Sequence, residues 1–99
     1  MTLRHVVAFR LAGTAQERAE RAAESARLLN NLVGVVPSLR AMSAGANTYF
    51  PEQNFDLVLV ADFDDEAGLA AYAVDPAHEV AAAYIGKYKT DRVAVDFDV

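Results

Sequence analysis

The chain of 99 residues has no cysteine, no tryptophan, three prolines and two histidines, and its nine basic residues face fourteen acidic ones. Each scarcity excludes something. Without cysteine there are no disulfides and no thiolate chemistry, which fits a reducing compartment. At a net charge of −5 no nucleic-acid partner is expected, because binding a phosphate backbone needs clustered Lys and Arg. The one basic cluster, Lys87-Tyr88-Lys89 with Arg92 beyond it, reads as a solvated loop. No apolar run reaches membrane-spanning length, and the N-terminus enters a strand pattern directly, so neither a membrane partner nor a targeting peptide is expected. A cytoplasmic protein is the resulting expectation. The two histidines, His5 and His78, are far apart, with no His-x-His or Glu-x-x-His spacing, so no metal is expected. With no Gly-rich phosphate loop and no supportable Ser-His-Asp triad, no cofactor is expected either. The run Asp62, Asp64, Asp65, Glu66 at a strand-to-helix turn is accounted for by helix capping.

What remains is 54% hydrophobic and 23% charged, the balance of one small globular domain spanning residues 1–99. Leu3 to Leu11 alternates, with Leu3, His5, Val7, Phe9 and Leu11 on one face and Arg4, Val6, Ala8 and Arg10 on the other, which predicts a strand. Thr14-x-x-Glu17 is a capping box opening a helix. The reading puts Ala15, Ala19, Ala22, Ala23, Ala26, Leu29 and Val33 on its apolar stripe and ends it at Gly34. A weaker strand follows from about Leu39 to Gly45, then a loop from Ala46 to Asn54. Phe55 to Phe63 is the strongest strand pattern. Asp64 or Asp65 caps a second helix carrying Leu69 and Tyr72, which Asp75-Pro76 breaks. Val80, Ala81, Tyr84 and Ile85 continue the stripe to Gly86, and Val93, Val95, Phe97 and Val99 alternate in a closing strand.

The order βαββαβ is the ferredoxin-like, α+β arrangement, in which strands one and three are central. Two helices cover one face of a four-stranded sheet. The other, with Val6, Ala8, Val58 and Val60, would meet water, and a soluble monomer rarely leaves such a face open. A second copy packed sheet to sheet answers this, so the expected partner is the chain itself, as a homodimer.

These segments together resemble the stress-responsive dimeric α/β barrel (Dabb) domain family. The resemblance rests on Arg4-His5-Val6-Val7 with Phe9, Gly45-x-Asn47, Phe55 to Phe63, and Phe63-Asp64-Asp65-Glu66 leading to Leu69 and Tyr72. Asp75-Pro76-Ala77-His78 and Val95-Asp96-Phe97 complete it. It implies a ferredoxin-like protomer whose dimer closes two sheets into a barrel. The family is diverse: some plant members are linked to stress tolerance as stable assemblies. One is a cofactor-free enzyme that closes a linear polyketide by aldol condensation, and its catalytic tyrosine and histidine match Tyr72 and His78, with its strand-one histidine at His5. Asp75 stands where a histidine is common in that block, and the first helix is alanine-rich where that enzyme has aromatic pocket residues.

The chemistry suits those residue types. A neutral His78 could remove a proton alpha to a carbonyl. The helix N-terminus disfavours imidazolium while Asp75 favours it, and the sequence leaves the balance open. Tyr72 could hydrogen-bond the developing enolate oxygen, and His5 could orient a ligand from the sheet. Each also has a structural reading: Tyr72 as a core aromatic, His78 as a carbonyl-bonded rim residue, His5 as a satisfied buried polar group. The alanines either let helices close onto the sheet or leave a cavity. A cavity would be lined by Phe9, Leu57, Leu59, Tyr84 and Ile85 and would suit an apolar, aromatic or polyketide-like molecule. Three functions follow: ligand binding with cofactor-free cyclase or lyase chemistry, a non-catalytic stress-related dimer, and a cofactor-free monooxygenase.

Overall fold

Alternating apolar side chains lay down β1 (Leu3–Leu11) and β3 (Leu57–Phe63) as the two central strands of one antiparallel sheet, flanked by β2 (Ala41–Ala46) and β4 (Lys89–Asp98) in the order β2-β3-β1-β4. The computed structural model describes all 99 residues. Helix α1 (Ala15–Asn30) joins β1 to β2, while α2 (Glu66–Ala73) and α3 (Pro76–Tyr88) together join β3 to β4. This is the expected ferredoxin-like fold, with the second helix split in two at the Asp-Pro step. Thr14 caps α1 through the full capping box with Glu17, Asp65 caps α2, and Asp75 caps α3 with Pro76 in its first turn.

Register fixes what each face carries. His5 lies opposite Ala61 and Asp96, and Val7 opposite Leu59 and Ala94. On the same face Val7, Phe9, Leu11, Leu57, Leu59, Ala61 and Phe63 pack beneath the helices as the core. The opposite face reads Val6, Val60 and Val95 in one row and Ala8, Val58 and Val93 in the next. No helix covers it, and Val93, Val95 and Phe97 are 53%, 62% and 46% exposed. The apolar outer face is therefore wider than the four residues of the central strands, because β4 turns its valines the same way.

The stripe of α1 departs from the sequence reading. Ala15, Ala19, Ala23 and Val33 are exposed, and Ala22, Ser25, Ala26 and Leu29 face the sheet. Alanine carries too little surface to fix the phase of a helix, so Leu29 and the residues one turn before it decide. Ser25 is tolerated there because its hydroxyl donates to the Arg21 carbonyl, one turn back, at 2.7 Å. The helix ends at Asn30, capped by Asn31, and a turn carries Leu32 and Val36 into the core before β2. Gly34, with φ of +84°, serves that turn and does not end the helix. In the second helical region, Val80, Ala70 and Ala71 are likewise exposed.

Candidate functional site

Between the helices and the β1–β4 side of the sheet lies a cavity of about 310 Å³. That is at the small end of ligand sites. His5, Tyr72 and His78 all line it, so three polar side chains from β1, α2 and α3 converge on one space. Phe9, Leu59 and Ile85 line it as well. Two expected lining residues do not. Leu57 is core, 2% exposed and outside this cavity, since it sits one strand-pair step beyond Leu59, towards the β2–β3 loop. Tyr84 packs edge-on against Tyr88, ring centroids 5.5 Å apart, on the side of α3 turned from the cavity.

The helix break builds the acid–base part. In one continuous helix the Ala77 N–H would bond the Ala73 carbonyl, four residues back. Instead it donates to Asp75 Oδ1 at 2.8 Å. The Ala73 carbonyl is left to accept from His78 Nδ1 at 3.2 Å. That bond fixes the neutral tautomer with hydrogen on Nδ1, and Nε2 becomes the basic nitrogen. Burial holds His78 below the ordinary histidine pKa, against the opposing effects of the Ala73 bond, Asp75 and Glu79; the nearby His5 pushes the same way as burial. The break also turns His78 back over Tyr72, with ring centroids 4.2 Å apart at 47°.

Tyr72 is 2% exposed, held between His78 and Phe63, whose ring centroid is 5.1 Å away. Its hydroxyl has no hydrogen-bond partner in the protein. Burial pushes its pKa up to about 12, so it is a proton-bearing donor throughout the working pH range. On the sheet side, His5 Nδ1 donates to the Asp96 carboxylate of β4, which fixes that ring's tautomer as well. Asp96 is a residue that sequence reasoning missed, together with Arg92 and Lys89 at the cavity edge. The signal was present in the last strand. Once Val93, Val95 and Phe97 are assigned to the outer face, Arg92 and Asp96 must point inward, opposite Phe9 and His5. No three His, Asp or Glu side chains are grouped so that they could hold a metal ion.

The family model for the stress-responsive A/B barrel domain (Dabb) matches residues 3–99. The chain belongs to the Dabb family. Among solved structures, a dimeric ferredoxin-like protein from Thermobifida fusca is 33% identical, with 100% of this Dabb chain and 92% of that one covered and a TM-score of 0.83. A second dimeric ferredoxin-like protein, from Jannaschia sp. CCS1, is 26% identical over 100% of both chains, with a TM-score of 0.79. A dimeric protein from Bacteroides fragilis is 22% identical, covers 99% of this chain and 96% of its own, and has a TM-score of 0.90; at that identity the likeness is one of fold. No curated protein matches.

Proposed function

We propose that this Dabb chain is a homodimer that binds a small apolar or aromatic, polyketide-like carbonyl compound in the cavity and catalyses a cofactor-free, enolate-forming reaction there. The observation that carries it is the pairing of an unpartnered, buried Tyr72 hydroxyl with a His78 that burial keeps neutral and whose Nδ1 hydrogen is held by the Ala73 carbonyl, both residues on one cavity. His78 Nε2 takes a proton from the carbon alpha to a carbonyl. The C–H electron pair moves into the carbonyl, and the Tyr72 hydroxyl donates a hydrogen bond to the enolate oxygen that forms. When the enolate carbon attacks a second carbonyl of the same molecule, the protonated His78 returns its proton to the new alkoxide, closing an aldol. His5, fixed by Asp96, orients the ligand from the sheet.

The dimer is argued from the open valine face, since the helices leave Val6, Val58, Val60, Val93, Val95 and Phe97 uncovered on one side. That the Thermobifida and Jannaschia proteins are dimeric supports a dimer here too. The competing reading is a non-catalytic stress-related dimer whose alanines pack the layer solid; the exposure of Ala19 and Ala23 and the cavity beside His5 and His78 favour the ligand-binding reading over it.

The test is exchange of the α-hydrogens of phenylacetone in D2O, followed by NMR. Wild-type protein should accelerate exchange above buffer, His78→Ala should lose about 10² to 10⁴-fold of that, and Tyr72→Phe should lose part of it. If phenylacetone binds, seen as shifted protein resonances, yet exchanges no faster than in buffer, catalysis is out and only the binding reading stands.

A further inference from the structure

We propose that the ligand of this cavity carries a carboxylate, held at the cavity edge by Arg92 and Lys89 while its apolar body lies over Phe9, Leu59 and Ile85. The inference rests on the cavity being a ligand site and names the chemical class that it takes. The chain is acidic overall, at −5, yet the cavity is lined by two cations and by no aspartate or glutamate. The charge of the site therefore runs against that of the molecule.

Arg92 stands apart from the other arginines of the chain. Arg4, Arg18, Arg21, Arg27 and Arg40 each pair with a carboxylate, and Arg10 lies over the Phe55 ring. The Arg92 side chain makes no ion pair, hydrogen bond or ring contact; the bond to the Asp91 carboxylate comes from the Arg92 backbone N–H. The nearest inward carboxylate along its strand face, Asp96, is occupied by His5. A guanidinium left free beside an apolar cavity offers a planar fork that matches a carboxylate bidentately. Lys89, at the junction of α3 and β4 and also without an ion-pair partner in the chain, adds a second positive charge on the same rim. One anionic head on one side of an apolar body also fixes direction: the rest of the molecule lies towards Tyr72 and His78, on the far wall.

The test compares 3-phenylpropanoate with its uncharged isostere 3-phenylpropanamide and with 2-phenylethylphosphonate, by calorimetry on the intact protein. The carboxylate should bind at least about tenfold more tightly than the amide, as charge-assisted hydrogen bonds exceed neutral ones, and added salt should narrow the gap. Arg92→Gln should remove most of that preference, weakening the carboxylate far more than the amide. Arg92→Lys should restore part of it, and Lys89→Gln should reduce it less. Both positions are exposed, so the variants should fold, which far-UV circular dichroism checks. Equal affinity for carboxylate and amide overturns the inference but leaves the cavity as a ligand site. So does an Arg92→Gln variant that weakens both alike, since packing would then be the cause. Preference for the phosphonate replaces the carboxylate by a phosphate-like head and overturns the proposal as stated. Failure of all three to bind overturns it together with the ligand-site reading.

Discussion

Replacing Tyr72 by Phe should make the protein more stable and less active. The ring contacts to Phe63 and His78 survive the change, because both involve the aromatic body and not the oxygen. What is lost is a hydroxyl buried without a partner in the chain. Burying such a group without a hydrogen bond costs about 1–3 kcal/mol on the evidence of protein mutants. Removing it leaves a space the size of one oxygen atom beside a cavity already open, so the packing loss is small, and a net gain of about 1 kcal/mol is expected. For a domain of this length that raises Tm by about 4–8 °C. The assay is thermal unfolding by circular dichroism at fixed protein concentration, since the Tm of a dimer depends on concentration. A fall of several degrees would refute the reasoning. It would mean that the hydroxyl has a stabilising partner in the folded protein and is part of the core, not a donor waiting for substrate. The paired measurement is phenylacetone exchange: a more stable variant with slower exchange separates function from structure at this residue.

His78 has a lowered folded-state pKa, so the unfolded chain binds its proton first as pH falls. Stability should decline as pH drops below about 6.5, the ordinary histidine value, and His78→Gln should flatten that segment of a Tm-against-pH curve; an unchanged slope would show that other groups produce it. Val95→Asp should convert the dimer to monomer in sedimentation velocity at micromolar concentration. Two-fold symmetry applies the substitution twice, and each valine contributes about 1.5–3 kcal/mol when fully buried; an intact dimer would place the interface elsewhere. Asp56→Ala should destabilise by about 3 kcal/mol in urea unfolding, because it strands the largely buried Arg18 guanidinium and the Leu11 N–H that now donates to Asp56 Oδ2 at 2.7 Å. A loss below about 1 kcal/mol would mean that water replaces the carboxylate at both.

Strand periodicity was the most legible part of the chain. Leu3–Leu11 begins and ends where alternation predicts, because β-branched and long side chains leave no doubt which residues face inward. The topology followed from element order and from the doubly apolar central strands. The phase of α1 was not legible, since five alanines scatter around it and only Leu28, Leu29 and the buried Ser25 distinguish its sides. The candidate site shows the same division. His5, Tyr72 and His78 were selected by residue chemistry, and register and the helix break bring them to one cavity. Asp96 and Arg92 escaped because an exposed edge strand offers two faces of similar exposure, and no single strand says which one looks inward.

In that edge strand the open apolar face and the cavity wall share one backbone. Ordinarily a strand puts its apolar side chains towards the helices and its charges towards water. In β4 the parity is reversed: Val93, Val95 and Phe97 look outward with Val6 and Val60, while Arg92 looks inward onto the cavity and Asp96 inward onto His5 at its wall. The reversal would be unfavourable in a monomer, which gains nothing from exposed valines. It becomes favourable when a second sheet covers them, and it then frees the inner face of the strand to carry charge beside an apolar pocket. The proposed dimer face and the polar rim are thus two consequences of one register. A one-residue slip of β4 would exchange them, burying the valines under the helices and removing both the interface and the groups that orient His5.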